Sequence, residues 1–187
     1  MADAEEILLE ADEKMDHSVE ALRRELNGVR TGRAHPSLIE TLMVDYYGAL
    51  TPLKQLGTIN APEPRLLTVT VWDRSAVPAI QKAIQSSDLG LNPAIDGQVL
   101  RLPIPPLTEQ RRKELVKLVH HKAEDARVAV RNVRRHAHDE LRKLEKEGGM
   151  SQDELKRAEE ELQKITDRHI ATIDAESKKK EAELLEV

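Results

Sequence analysis

Nothing between the paired prolines Pro105-Pro106 and the paired glycines Gly148-Gly149 breaks a helix, and that uninterrupted stretch constrains the fold more than any other. Leu115, Val119, Ala123, Ala126, Val130, Val133, Ala137, Leu141 and Leu144 follow at steps of three or four, which sets them on one helical face. Thr108 stands where an N-cap belongs. At about 100° per residue, Arg127, Arg131 and Arg134 fall to one side of this seam, with Lys113, Lys117, Arg135 and Arg142 bordering them. The expectation is a single long helix whose packed face and cationic face are distinct.

Such a helix needs partners to cover its seam. Leu8, Ala11, Met15, Val19, Leu22, Leu26 and Val29 give residues 3–30 the same periodicity, opened by Asp3 with Glu6 in the capping-box position. Beyond Gly148-Gly149, Ser151 and Glu154 form a second capping box, and Leu155, Ala158, Leu162, Ile165 and Ile173 carry a third helical seam to about residue 185. The last two helices, each roughly 50 to 60 Å long at 1.5 Å per residue, are joined by a short turn and must run antiparallel.

Between the first two helices, residues 31 to 104 hold most of the nine prolines, and the periodicity changes to two. Leu66 to Trp72 and Val99 to Leu102 read as strands, Leu38 to Tyr47 as a third, and Asp96-Gly97 as a hairpin turn between Asn92 to Ile95 and Gln98 to Ile104. Ser75 to Ser87 reads as one short helix, capped by Asp73 or Ser75. The two segments that join the insert to the helices, Arg30-Thr31-Gly32-Arg33 and Pro103-Ile104-Pro105-Pro106, read either as a plain domain boundary or as a hinge.

Aromatics make up 2% of the chain and charged residues 34%, which favours long exposed helices over a large aromatic core. The absence of cysteine excludes disulfides and thiolate chemistry. No apolar run approaches the roughly 20 residues that span a bilayer, and the acidic start is unlike a secretory leader, so a soluble, cytoplasmic protein is expected. The net charge of −5 is unevenly spread: residues 108–147 carry 12 basic and 8 acidic side chains and are the one net-positive segment. Phosphate responds to local fields, screened within about 8 to 10 Å, so a basic stripe can act inside an acidic chain. Arginine prevails in that stripe, and its planar fork suits phosphate and stacked bases. These residues make it a candidate RNA-binding face, set against the alternative of an ordinary solvated helix surface.

Catalytic signatures do not emerge. Neither a Walker loop, a GxSxG nor a GxGxxG occurs, and His120, His121, His136, His138 and His169, lacking an HExxH pairing, read as surface histidines. Tyr46-Tyr47-Gly48 reads as packing beside a turn. No enzyme activity, cofactor or metal is expected.

Four blocks carry a resemblance. Arg30-Thr31-Gly32-Arg33-Ala34, Asp88-Leu89-Gly90-Leu91-Asn92-Pro93, Pro105-Pro106-Leu107-Thr108-Glu109 and Val130-Arg131-Asn132-Val133-Arg134-Arg135 resemble, in order, the RTGRA, DLGLNP, PPLTE and VRNVRR motifs of the ribosome recycling factor family, along essentially the whole chain. The resemblance implies an α+β fold: an elongated three-helix bundle, residues 1–30 plus 107–187, with an inserted β/α/β domain over 31–106 and an L-shaped outline. It implies hinge linkers at 30–33 and 103–106. It also implies a monomer that acts after termination with elongation factor G and GTP, splitting the ribosome and releasing message and tRNA, with no catalytic residues and with neither DNA nor membrane as partner. Arg134 matches the family arginine associated with large-subunit ribosomal RNA, and Arg131 and Arg127 share its face. His35, Gln110 and His136 depart from the family pattern and affect local charge only. The competing reading is a coiled-coil adaptor, for which long amphipathic helices would suffice.

Overall fold

The computed structural model describes residues 2–186. Three long helices, α1 (Ala4–Asn27), α3 (Glu109–Lys146) and α4 (Gln152–Leu185), form one compact unit, and Arg30–Glu109 forms the other. In α1, Asp3 Oδ1 accepts from the amide of Glu6 at 2.9 Å while Glu6 Oε2 accepts from the amide of Asp3 at 3.3 Å, so the capping box closes in both directions. Its buried face is Ile7, Ala11, Met15, Val19, Leu22 and Leu26. Ile7 therefore replaces Leu8 in the expected seam. Steps of four from Ile7 lead to Ala11, Met15 and Val19, whereas Leu8 lies about 100° further round.

In α3 the seam holds as expected except at Val133, which is half-buried. Ala11 and Ala137 are too short to cover Val133, and a shallow cavity of about 250 Å³ lined by these residues and Ile7 remains there. The α3–α4 turn is set by backbone geometry: Gly148 sits at φ 80°, its amide donates to Glu145 O at 3.0 Å, and the Gly149 amide donates to Leu144 O at 2.9 Å. That pair of bonds satisfies the last carbonyls of α3, and the Leu144 side chain folds over Gly149. Ser151 Oγ then accepts from the amide of Glu154 at 3.1 Å to start α4.

Polar contacts between helices show their directions. His120 pairs with Glu181, Arg127 with Asp174 and His138 with Glu159, so α3 and α4 are antiparallel; Asp12 meets Arg168 and Arg23 meets Glu176, so α1 and α4 are parallel. On α4, Leu155 is half-buried, while Thr166, His169 and Ser177 are buried within the seam. His169 is therefore not the surface histidine the sequence suggested. It lies one helical turn from both Ile165 and Ile173 and shares their face.

Within Arg30–Glu109, an antiparallel sheet has the order β3 (Gly57–Glu63), β4 (Leu66–Val71), β6 (Val99–Pro103), β5 (Ala94–Asp96). A separate hairpin pairs β1 (Met43–Tyr46) with β2 (Ala49–Pro52), and α2 (Val77–Gln85) completes the unit. The core gathers Ile39, Val44, Leu53, Leu67, Val69, Ile80, Ile84, Leu100 and Leu102. The expected strand over Leu38 to Tyr47 is confined to Met43–Tyr46, because Pro36 starts a 3-10 turn, Pro36–Leu38, whose N-cap is His35. Neither β2 nor β3 shows in the sequence pattern: β2 buries no residue fully, and β3 buries only Gly57 and contains Pro62. Gly57 is required by close approach, since a Cβ there would lie 2.6 Å from Thr70 O.

Two substitutions test the α3–α4 turn. Gly148→Ala should destabilise by about 1 to 2 kcal/mol, because an L-residue is strained at positive φ, and Ser151→Ala by about 0.5 to 2 kcal/mol through loss of the cap. Denaturant unfolding with an unchanged slope is the measurement; no shift in midpoint for either variant would contradict this account of the turn.

Candidate nucleic-acid interface and paired linkers

Arg127, Arg131, Arg134, Arg135, Lys113 and Lys117, the basic residues expected to contact RNA, all lie on α3, but their surroundings differ. Arg127 is tied to a second helix: Nε and Nη2 both reach Asp174 Oδ1, at 2.8 and 2.7 Å, and Nη1 reaches Glu124 Oε2 at 3.1 Å. Partial burial opposes its charge, yet Asp174 and Glu124 outweigh that and hold its pKa above the ordinary arginine value. The packed and cationic faces are thus not separate at this position, where the guanidinium serves as a strut between α3 and α4. Glu124 also receives Arg131 Nη1 at 3.3 Å, and hydrogen bonds from Arg127 and then Arg131 keep its carboxyl below the usual range.

One turn further along, the cations open to solvent. The Arg131 side chain is 48% exposed. Arg134 is half-exposed and makes no ion pair or side-chain hydrogen bond among the described residues. Arg135 is exposed, its guanidinium bonded only within the helix, to Asn132 Oδ1. Positions 131, 134 and 135 are spaced to share one side of a helix. Lys113 and Lys117 are exposed more than three turns earlier on α3. What remains available to an anion is therefore a short, arginine-rich patch around 131 to 135, with Lys117 exposed upstream. Sequence spacing located these side chains but could not show that Arg127 faces Asp174, because that acid arrives on a helix more than forty residues away.

The linker residues meet each other inside the smaller unit. Arg30 Nη2 donates to Pro105 O at 3.1 Å, across the two segments. Gly32, buried at φ 80°, sits under Leu107, whose Cγ would be 3.3 Å from an added Cβ. Both segments are pinned to the same β3–β4 turn: the Ala34 amide donates to Pro64 O at 2.7 Å and the Ile104 amide to Arg65 O at 2.8 Å. Ile104 is buried, while Pro103, Pro105 and Pro106 are exposed and line a depression of about 400 Å³ with Gly90 and Asn92. Thr31 is half-buried and Arg33 exposed. Gly32 thus occupies a closely packed site at a conformation that favours glycine.

Asp12, Asp16 and His169 bring three ligand-type atoms within 4.8 Å of one another. Asp12 Oδ1, however, already receives His169 Nε2 at 2.6 Å and Arg168 Nη2 at 2.9 Å, so the donor set fits a lock between α1 and α4 better than it fits a metal. Burial raises the Asp12 pKa, and the bonds from His169 and Arg168 more than reverse this, leaving it below the ordinary value.

A folded-state pKa below the unfolded one stabilises the fold above the unfolded value, near 3.9 for aspartate, and the contribution is lost as pH falls through that value toward the folded one. Asp12→Asn should therefore flatten the fall in stability from about pH 5 down to about pH 3 relative to the parent chain. Urea midpoints across that range measure it, and an identical pH dependence of the midpoint for the two proteins would place the acid sensitivity elsewhere.

Comparison with known proteins gives one answer. A profile of the family described as ribosome recycling factor matches residues 22–185. The ribosome-recycling factors of Thermomicrobium roseum and Bacillus subtilis are 55% and 52% identical to this chain, each over 98% of it and 99% and 100% of their own lengths. A solution structure of a ribosome recycling factor superposes with a TM-score of 0.81 at 48% identity, covering all of both chains. A second similar structure, with a TM-score of 0.68 at 52% identity over 99% of this chain and all of the other, is the T. thermophilus ribosome recycling factor, described together with E. coli elongation factor G bound to the E. coli post-termination complex.

Proposed function

Since the chain belongs to the ribosome recycling factor family, we propose that it binds the post-termination ribosome and, with elongation factor G and GTP, separates it into subunits and frees the message and tRNA. It works in the cytoplasm as a monomer and performs no bond chemistry of its own. Arg131, Arg134 and Arg135 contact large-subunit ribosomal RNA, Lys113 and Lys117 extend the field, and Arg127 supports them by bracing α3 against α4. The residues of the two linkers act as one joint, because the Arg30 to Pro105 bond ties the segments together.

The observation that carries this reading is the group of three guanidiniums, Arg131, Arg134 and Arg135, none held to another helix among the described residues, beside a braced one, on a helix whose apolar face is used in packing except at Val133. A rigid support loses little entropy when its cations meet phosphate. The adaptor alternative needs apolar seams left over for a partner chain, yet the seams of α1, α3 and α4 are buried within this chain except at the half-buried Val133 and Leu155. No helix among the described residues is long and apolar enough to cross a membrane.

Arg134→Ala should remove one or two charge-assisted contacts, each worth on the order of 1.5 to 3 kcal/mol, and lower the salt slope of binding to isolated large subunits by about 1 per contact. Helicity should be unchanged. Arg127→Ala should instead reduce thermal stability. Unaltered affinity and slope for the Arg134 variant would remove the arginine patch from the mechanism.

A further inference from the structure

Glu124, Arg127 and Arg131 stand at steps of three and four along α3 and so share one face of it. Their contacts join into a chain that begins on α4. Asp174 Oδ1 accepts from Nε and Nη2 of Arg127, which leaves Nη1 to donate to Glu124 Oε2 at 3.1 Å. The other oxygen of that carboxylate, Oε1, accepts from Arg131 Nη1 at 3.3 Å. Arg127 is thus held by α4 on one side and holds Glu124 on the other. Hydrogen bonds from Arg127 and then Arg131 keep the Glu124 carboxyl below the usual range, so at neutral pH it carries its charge.

Arg131 is therefore unlike its neighbours. Arg135 bonds to the neutral amide of Asn132, and Arg134 makes no ion pair or side-chain hydrogen bond among the described residues. Glu124 lies two turns before Arg131, about 10 Å along the helix axis. The Arg131 side chain lies back along α3 to reach it, away from Arg134 and Arg135. The pair is open to water, with the two side chains 48% and 53% exposed, and an ion pair of that kind is weak enough to be displaced. Phosphate makes the same demand on the planar fork of arginine as a carboxylate does.

Resting on the RNA-contact reading above, we infer that Glu124 is an internal competitor for phosphate: it occupies the Arg131 fork in the free chain, yields it when RNA arrives and takes it back on release. Arg127 and Asp174 serve this exchange by keeping the carboxylate in place when the pair opens. A carboxylate free to swing into water would lose entropy each time it recaptured Arg131, whereas one already held by Arg127 loses little. The effect is to tune the affinity of the face. Arg134 and Arg135 meet RNA with no carboxylate to displace, while Arg131 adds its charge only in exchange for a contact it has already made. Binding is weakened by that exchange, and departure is favoured.

The experiment measures binding of the full chain to isolated large subunits across a salt series. Glu124→Gln keeps the shape of the side chain and removes its charge. It should tighten binding about two- to fivefold at low salt and steepen the salt slope by about 1, with an unchanged circular dichroism spectrum. Asp125→Asn removes the same charge one residue on, from a side chain whose ion pair is with His121, and should do less. In an Arg131→Ala background, Glu124→Gln should do no more than Asp125→Asn does. Unchanged affinity and slope for Glu124→Gln overturn the inference. Weaker binding overturns it too, by making the carboxylate a support that aims Arg131, as does an equal gain in the Arg131→Ala background, which would reduce Glu124 to a distant repulsive charge. Arg131→Ala and Arg134→Ala test the RNA-contact reading by themselves, so a loss of affinity in both beside an indifferent Glu124→Gln sinks the inference alone.

Discussion

A 38-residue helix has no stability of its own to spare in water, and α3 persists because its apolar face is buried along its length. Eight of its side chains, from Leu115 to Leu144, are removed from solvent, and each full burial of a leucine- or valine-sized group contributes roughly 1.5 to 3 kcal/mol. α1 and α4 are the surfaces that make this burial possible. Their own start signals at Asp3 and Ser151 fix where each helix begins, and hence which residues face the seam. The position of every arginine on α3 follows from that phase, so the candidate interface depends on core packing that lies on the opposite side of the helix.

Polar pairs at the seam edges add register to this packing. Exposed ion pairs contribute little stability, about 0 to 1 kcal/mol, yet those between helices select one axial alignment among several that apolar contacts alone would tolerate. His169 is the exception in depth: buried and bonded to Asp12, it would leave an unsatisfied partner if α1 slid by a turn. Arg127 does the same for α3 against α4. Both side chains hold the bundle in place more than they present charge to a ligand.

How much of this could be read beforehand varied with the range of the interaction. Helix seams and caps are local, so the three long helices and the Asp96-Gly97 hairpin are legible in the sequence, and the seams differ only at Leu8, whose place Ile7 takes, and at the half-buried Val133 and Leu155. Strands whose burial depends on distant partners were not: β3 consists of Gly57–Glu63, is mostly exposed, and is recognisable only once Gly57 is seen against Thr70. The arginines could be put on one helix by spacing, whereas the pairing of Arg127 with Asp174 and the tie from Arg30 to Pro105 join residues far apart in sequence and leave no local pattern. His169 is buried although histidine is so often exposed, and its step of four from both Ile165 and Ile173 is the local signal of that burial.

Trp72 is the single tryptophan, and it lies wholly outside the helical unit. Ellipticity at helical wavelengths comes mostly from α1, α3 and α4, while intrinsic indole emission comes only from the Arg30–Glu109 unit. The molecule therefore carries two independent optical reporters without any label. Melting curves followed by the two signals would coincide if the units unfold as one cooperative block and separate if each has its own transition.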